Sequence, residues 1–305
     1  MPRKKTTIAV VYNHVGPDEY EHIKTVDPAT LGFKPEYDLQ KVATVTEEYE
    51  AIVKGLEAEG FRAHRYNVQE KLSRLQTLLR RDPPDAVFNL VEYFHDDPKL
   101  EHLVAGLYDL HKVPYTGASP FALALCQRKG MTKQLLLANG VPTPRFRQLF
   151  KPHLPRRHGL HYPLIIKPAR EDASLGVERT SVVYNQDQLF EQIDRAFREF
   201  SPPILVEEFI EGRELHVSVL GNDPPQVLPI IEFDFSDLPS DHPTIISYDA
   251  KWNPLKEEFH RVHTICPARL PKAVLKRVAE RALQAYALTM CRDYARIDMR
   301  LSKDN

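Results

Sequence analysis

The sequence predicts an α/β protein, and three features support this fold class. Apolar runs typical of buried strands, such as residues 7–12 and 85–92, alternate with amphipathic segments typical of helices. This alternation predicts a parallel sheet covered on both faces in the first part of the chain. Later strands alternate between apolar and polar residues, which makes the class α+β in part. With 305 residues, the chain suits two or three domains.

Composition and charge exclude several classes of partner. The formal net charge is −1, so no global basic field would attract nucleic acid or an anionic membrane. The cysteines Cys126, Cys266 and Cys291 form no CxxC pair and no zinc spacing, which favours a reducing compartment. The first apolar run, residues 8–12, is too short for a signal peptide or a membrane span. We therefore expect a cytoplasmic protein.

The N-terminal part shows local signals for each of its elements. Residues 16–38 are polar and interrupted by prolines, which predicts a long loop. Thr44 and Glu47 have the spacing of a capping box and should begin a helix. The next predicted elements are a strand at 61–68, a helix at 69–81, a strand at 85–92 and a helix at 99–111. The strand 85–92 ends in polar residues, and Asn89, Glu92 and His95 are either site residues at the sheet's ligand crevice or solvated loop residues.

Residues 162–177, YPLIIKPAREDASLGV, combine a buried strand with a loop of small residues. Lys167 lies at the end of the strand, and Ser174 lies in the loop. A lysine charge beside loop N–H groups suits a polyphosphate, although no GxxxxGK[ST] motif is present. The alternative for this stretch is an ordinary surface loop after a core strand.

Two helices flank this stretch. Residues 120–139 have a continuous helical pattern that carries Lys129 and Lys133 one turn apart, and lysines in such positions are usually solvated. Asn185 and Gln188 should cap an amphipathic helix whose apolar face is core.

The stretch 204–220 predicts two strands around a turn at Gly212. Acidic residues surround the turn, and they are either solvated charges or part of a nucleotide pocket. In a pocket, the backbone at 207–210 would contact adenine, and one carboxylate would accept hydrogen bonds from ribose hydroxyls.

Three more elements complete the chain. Residues 236–260 are rich in proline and predict a long loop that is a candidate lid. A helix should follow from Pro271 to about Met290. The last strand, 294–301, places Arg296, Asp298 and Arg300 on one face. That face suits a hard cation and a developing oxyanion, but an exposed ion-pair stripe is the more frequent explanation.

Seven blocks in this order resemble the ATP-grasp superfamily, and more closely its D-alanine–D-alanine ligase branch. The resemblance covers residue 85 to the end of the chain. It implies a Rossmann-like N-terminal domain (1–122) followed by a two-lobed ATP-grasp domain (123–203 and 204–305). The blocks are AVFNLVE, VPYTGASPFALALCQRKGMTK, VPTPRF, YPLIIKPAREDASLGV, LVEEFIEGRELHVSVL, YDAKW and YARIDMRL.

The resemblance implies a role for each matching position. The implied activity is ATP-dependent joining of a carboxylate to an amine through an acyl phosphate, with Mg (or Mn), small amino-acid or peptide substrates and a role in peptidoglycan synthesis. A homodimer is also implied. The ATP-binding residues are Lys129, Lys167, Ser174, Glu207, Glu208, Phe209, Ile210 and Glu214; Lys251 belongs to the lid, Arg296 steadies the intermediate, and Asp298 is the metal ligand.

Two departures from the family pattern matter. The N-terminal GGxSxE-type signature for the first D-alanine is replaced by VYNHVGPDEYEH, where Glu19 and Glu21 are the candidate substitutes for its glutamate, and the HGxxGEDG block is replaced by EYFHDDPKLE. The chain also stops before the family's ExNxxPG-like metal segment, so we expect a truncated enzyme sequence whose last strand has an open edge. The alternatives are a disabled nucleotide-binding protein, or a ligase for another amino acid or peptide.

Overall fold

The computed structural model describes residues 5–18 and 20–304, which belong to two units. The first unit is Met1–Ala124 and the second is Leu125–Asn305. The division into three domains at residues 122 and 203 stays a prediction.

A parallel three-stranded sheet forms the centre of the first unit. The strand order is β2-β1-β3, and Val87 of β3 also makes a parallel bridge to Tyr115. Ala9, Val11 and Tyr108 lie in the core between the sheet and its helices. The predicted parallel sheet is therefore confirmed. In chain order the elements are β1 (Thr7–Tyr12), α1 (Val45–Ala58), β2 (Arg62–Asn67), α2 (Leu72–Arg81), β3 (Ala86–Leu90) and α3 (Glu101–His111).

The capping box predicted for α1 is present. The Thr44 hydroxyl accepts a hydrogen bond from the Glu47 backbone N–H at 3.2 Å, and the Glu47 carboxylate accepts one from the Thr44 N–H at 2.8 Å. Where a long loop was predicted, the described residues 16–18 and 20–38 are largely irregular and include the single-turn helices Ile23–Thr25 and Pro28–Thr30. Both outcomes follow from local interactions that the sequence shows directly.

The helix predicted over residues 120–139 is interrupted, so that prediction is wrong in part. The structure has α4 (Pro120–Cys126) and α5 (Lys129–Ala138), with Arg128 between them at φ −100° and ψ 75°. The Lys129 N–H donates to the Ala169 carbonyl at 3.2 Å instead of to a carbonyl of α4. A contact with a distant loop thus ends one helix and begins the next.

The central sheet of the second unit is antiparallel, with the order β4-β7-β5-β6. Helix α6 packs on it through Leu189, Ile193 and Ala196, and Asn185 caps the helix through the Gln188 N–H as predicted. The elements are β4 (Phe146–Leu149), β5 (Leu164–Pro168), β6 (Val182–Val183), α6 (Gln186–Glu199) and β7 (Ile204–Glu208).

The last part of the second unit contains a sheet of order β11-β10-β8-β12, with β9 also paired to β8. Leu215, Val217 and Val219 of β8 pack against the last long helix, α9. Gly212 begins β8 at φ +146°, and an added Cβ there would lie 2.0 Å from the Leu301 carbonyl oxygen. The elements are β8 (Gly212–Leu220), β9 (Gln226–Val227), β10 (Ile231–Asp234), α7 (Tyr248–Trp252), α8 (Glu257–Arg261), β11 (His263–Ile265), α9 (Lys272–Leu288) and β12 (Tyr294–Ser302).

The loop predicted over 236–260 is partly helical, which corrects that prediction. Helix α7 begins after Ser247, whose hydroxyl accepts from the Ala250 N–H at 3.1 Å and donates to the Glu258 carboxylate at 2.8 Å. Such short helices leave too little periodicity to read from the sequence. Among the strands that the structure describes, β12 pairs with β8 alone and forms the sheet edge. Within residues 5–18 and 20–304, none of the helices has the length and apolar character needed to span a bilayer.

Candidate functional site

A buried carboxylate between two lysines lies at the centre of the candidate site. Glu207 on β7 accepts from Lys167 on β5 and lies 2.9 Å from the Lys133 ammonium on α5. The antiparallel register places Ile165 opposite Glu207, so Lys167, two residues further along β5, shares the same face. The side chains of Glu207, Lys133 and Lys167 are 8%, 11% and 24% exposed.

The electrostatics of this cluster favour the ionised carboxylate. Burial acts to raise the pKa of Glu207, but the charges and hydrogen bonds of Lys167 and Lys133 outweigh it and hold the pKa below its usual value. Burial lowers the pKa of Lys133, while the attraction of Glu207 opposes this change. Each buried charge is therefore stabilised mainly by its neighbours.

Lys133 is the site residue that the sequence analysis missed, and its predicted solvation is wrong. Its ammonium also donates to the Thr143 hydroxyl and lies 5.0 Å from the centre of the Phe146 ring. The only available signal was its spacing of one helical turn from Lys129, which places both lysines on the same side of α5.

Lys129 lies beside the same cluster, at the first residue of α5. Its ammonium donates to the Glu171 backbone carbonyl. Burial, together with the nearby positive charge of Lys167, lowers the pKa of Lys129 to about 8. The ammonium therefore titrates within the range in which most enzymes are assayed.

The loop 169–177 has unusual backbone geometry beside these lysines. Ala173 and Ser174 have φ values of 50° and 67°, a left-handed conformation that is uncommon for residues other than glycine. Gly176 also has a positive φ of 74°, and an added Cβ would lie 2.7 Å from both Phe200 Cζ and Pro168 Cγ. Turns of this kind can direct successive N–H groups towards an anion.

Helix α7 packs directly on this loop. The Trp252 indole N–H donates to the Ala173 carbonyl at 2.8 Å, and the Tyr248 N–H donates to the Val177 carbonyl at 3.0 Å. Lys251, on the same helix, holds its ammonium 4.9 Å from the centre of the Trp252 ring. The segment predicted as a lid thus contacts the loop that was predicted to bind phosphates.

The residues at the end of β7 and just after it divide between the two faces of the strand. The Glu208 side chain turns away from Glu207, and its carboxylate lies 2.9 Å from His161 Nδ1 and 3.7 Å from Arg145. Phe209 is buried with Ile165, Val182 and Ile245. The structure therefore brings Glu207 to the lysine cluster but keeps the Glu208 side chain apart from it.

A second group of polar residues lies on one face of β8 and β12. Arg296 donates to both oxygens of Asp298, at 2.7 and 3.1 Å, and this pairing holds the pKa of Arg296 above its usual value. His216 Nε2 lies 3.5 Å from Asp298 and 3.8 Å from Glu214. The register pairs Arg296 with Ser218, Asp298 with His216, and Arg300 with Glu214.

In the first unit, the candidate residues form internal contacts or lie at the surface. The Asn89 side-chain oxygen accepts from the Tyr108 hydroxyl at 3.1 Å, and Glu92 is exposed. His95 is exposed, with Nδ1 3.6 Å from Glu70. Of the two candidate glutamates in the altered N-terminal segment, Glu21 is exposed and Glu19 lies outside the described residues.

Comparisons with known proteins agree with this fold. Residues 118–305 match the family model for the D-ala D-ala ligase C-terminus. The chain is 32% identical over 236 residues to the uncharacterized protein y4sG of Sinorhizobium fredii, covering 75% of this chain and 67% of that protein. It is also 32% identical over 231 residues to a D-alanine–D-alanine ligase of Moorella thermoacetica, covering 72% of this chain and 68% of that protein.

Solved structures show the same architecture. The D-alanine–D-alanine ligase of Bacillus anthracis superposes with a TM-score of 0.68 at 20% identity, over 98% of this chain and 83% of that chain. A second structure of that enzyme, complexed with ATP, superposes with a TM-score of 0.67 at 19% identity. The fold is therefore that of the ATP-grasp ligases, and the match over residues 118–305 shows that this chain belongs to the D-alanine–D-alanine ligase family.

Proposed function

We propose that the protein is an ATP-dependent carboxylate–amine ligase that acts through an acyl phosphate. The observation that carries this proposal is the cluster of Lys129, Lys133 and Lys167 around the buried Glu207, beside a loop with left-handed residues. Burying a lysine ammonium costs free energy unless an opposite charge pairs with it. A polyphosphate supplies several negative charges, so it is the ligand that a cluster of lysines stabilises best.

In this proposal, the nucleotide lies between the central sheet and the β8–β12 sheet. Lys129 and Lys167 contact phosphate oxygens, and the loop N–H groups around Ser174 donate hydrogen bonds to the same phosphates. The backbone of Glu207, Glu208, Phe209 and Ile210 contacts adenine, and Glu214 accepts from ribose hydroxyls. Lys251 approaches the phosphates from α7, a position that the α7 contacts with Ala173 and Val177 support.

The proposed chemistry has two steps. A substrate carboxylate attacks the γ-phosphorus of ATP, which releases ADP and forms an acyl phosphate. The amine of a second substrate attacks the carbonyl carbon, and phosphate leaves as the amine loses its proton. Arg296 stabilises the negative charge that develops on the carbonyl oxygen in the second step. No covalent bond to the protein is required.

The residues present fit a magnesium ion (or manganese) at Asp298. Magnesium is commonly held by one or two carboxylates together with substrate phosphates and water. The Asp298 side chain is 52% exposed, so a hydrated ion can reach it, although both of its oxygens accept from Arg296 in this structure. When bound, the ion would neutralise phosphate charge.

A second candidate differs only in the substrate, which would be another amino acid or a short peptide. The segment VYNHVGPDEYEH, in place of the family signature for the first D-alanine, favours this candidate. A role in peptidoglycan synthesis applies only to the first candidate, a ligase that joins two D-alanines. A cytoplasmic location, a homodimer and three domains divided at residues 122 and 203 remain part of the proposal.

The proposal is tested by phosphate release from Mg-ATP with a panel of D- and L-amino acids. We expect release that depends on the amino acid and that Lys167→Ala abolishes, because this substitution removes a phosphate-binding charge. The exposed Lys151 provides a matched control, and Lys151→Ala should leave the rate unchanged. Adding hydroxylamine should trap the acyl phosphate as a hydroxamate of the activated amino acid.

The outcomes separate the candidates. Release with D-alanine supports the D-alanine–D-alanine ligase, whereas release with another amino acid retains the mechanism and identifies a different substrate. Release without hydroxamate would contradict the acyl-phosphate step. ATP binding with no release across the whole panel would contradict the ligase assignment for these substrates.

A further inference from the structure

Arg300 is held in an unusually complete set of contacts at the end of the polar group on β8 and β12. Its guanidinium donates through Nε to the Ile210 carbonyl at 2.6 Å and through Nη1 to the Glu214 carboxylate at 2.9 Å. The remaining N–H groups bind the Thr244 carbonyl at 2.7 Å, the Thr244 hydroxyl at 3.2 Å and the Gly212 carbonyl at 3.2 Å. These contacts match the five N–H donors of an arginine side chain.

The rest of the Arg300 side chain is equally constrained. The guanidinium lies 4.5 Å from the centre of the Phe209 ring, and its side chain is 17% exposed. Arg300 is directly opposite Glu214 in the β8–β12 register. One side chain thus joins both strands, the backbone after β7 and the segment that leads to α7.

These contacts leave the two Glu214 oxygens in different environments. Oε2 accepts from Arg300 at 2.9 Å. Oε1 lies 3.8 Å from His216 Nε2, which is beyond hydrogen-bond distance. The Glu214 side chain is 15% exposed, and Oε1, which accepts no hydrogen bond from the described residues, is the oxygen available to a donor from a ligand.

We propose that Arg300 is a positioning residue for the nucleotide: it binds Glu214 Oε2 and the Ile210 and Gly212 carbonyls, so that Oε1 is presented to the ribose hydroxyls. The inference rests on the proposed nucleotide site and adds the residue that sets ribose recognition there. A planar fork is needed, because one lysine ammonium cannot bind all three acceptors in the same geometry.

The test compares the Kd values of Mg-ATP and of Mg-2′,3′-dideoxy-ATP, which lacks both ribose hydroxyls, by titration calorimetry. For the natural chain we expect about tenfold or more weaker binding of the dideoxy nucleotide, as for loss of a hydrogen bond to a charged group. In Arg300→Met the two Kd values should agree within about threefold, chiefly because ATP binds more weakly. Arg198→Met removes an exposed arginine on α6 and should leave the ratio unchanged.

Two further variants complete the test. Arg300→Lys keeps the positive charge but not the fork, so the Kd ratio should still fall by at least about threefold. Glu214→Gln alone should lower the ratio of the dideoxy-ATP Kd to the ATP Kd. Added to Arg300→Met, it should have little further effect on this ratio, because both substitutions act through the same oxygen. Thermal unfolding of each variant reports whether it folds, and Arg300→Lys carries the test if Arg300→Met does not fold.

Several results would overturn the inference. A folded Arg300→Met or Arg300→Lys variant that keeps the natural ratio would show that Arg300 supports the fold alone. Tighter ATP binding by Arg300→Met would show that Arg300 competes with ribose for Glu214. Equal affinity of the natural chain for both nucleotides would show that the ribose hydroxyls are not recognised, and the proposed nucleotide site would still stand. Absence of ATP binding would refute the proposed function itself.

Discussion

Replacing Glu207 by glutamine removes the negative charge that lies between two buried cations. The Glu207 side chain is 8% exposed, and its partners Lys133 and Lys167 are 11% and 24% exposed. Removing one partner of a buried ion pair costs about 3–5 kcal/mol, because the remaining charge stays buried without compensation. Glutamine keeps the shape and one acceptor, so we expect about 3 kcal/mol, at the lower end of that range.

The chain contains a single tryptophan, Trp252, which lies in the second unit and reports its unfolding. Urea unfolding followed by Trp252 fluorescence should give a lower midpoint for Glu207→Gln. A loss of about 3 kcal/mol corresponds to about 6–12 °C in Tm for a unit of this size. Glu208→Gln is the matched control, because its partners His161 and Arg145 have side chains that are 79% and 56% exposed. It should cost less than about 1 kcal/mol.

The effect should depend on pH in a defined direction. The pKa of Glu207 is held below the ordinary carboxyl value of 4.5, so its stabilisation is complete above that pH. The stabilisation is lost as the pH falls through the lower value of the folded protein. The difference between the natural chain and Glu207→Gln should therefore shrink only below pH 4.5. Equal stability of the two proteins at neutral pH, or equal losses in Glu207→Gln and Glu208→Gln, would refute this reasoning.

Two other substitutions test particular features of the site. Above pH 8, the natural chain should lose ATP affinity by about tenfold per pH unit as Lys129 deprotonates, whereas Lys129→Arg should keep its affinity. The same dependence of the ATP Kd on pH in both proteins, up to about pH 9.5, would contradict this prediction. Gly176→Ala should lower the free energy of unfolding by about 2–4 kcal/mol, because the added methyl meets Phe200 and Pro168 at a positive φ. Gly159→Ala, at φ +71° with its nearest atom 3.6 Å away, should cost about 1 kcal/mol, and equal losses in both variants would show that steric contact is unimportant.

Predictions that depend on neighbouring residues agree closely with the structure. The alternation of apolar and polar residues that the sequence shows in its later strands is present in β8, where Leu215, Val217 and Val219 are buried. The capping box of Thr44 and Glu47 was predicted from its spacing. Alternation and capping arise within a few residues of chain, so the sequence contains the information directly.

Two of the predictions that were wrong involve contacts between distant segments, and a third involves helices of only five residues. The break between α4 and α5 depends on the hydrogen bond from Lys129 to Ala169 in a loop after β5. Lys133 was expected in solvent because the sequence around it does not show that Glu207 lies opposite. The two short helices at 248–252 and 257–261 were missed because each is too short to show a period.

By itself, the sequence determined the α/β class, the strands and helices with clear periodicity, and the resemblance that predicts a role for each ATP-grasp position. It also showed that Arg296, Asp298 and Arg300 share one face of a strand. Only the tertiary structure decided which charges meet. Glu207 pairs with Lys133 and Lys167. Arg300 donates hydrogen bonds to Glu214 and to the Ile210 carbonyl after β7. Sheet register and helix packing bring these groups together although they are far apart in the chain. Such pairings depend on distance in space, which a one-dimensional pattern does not contain.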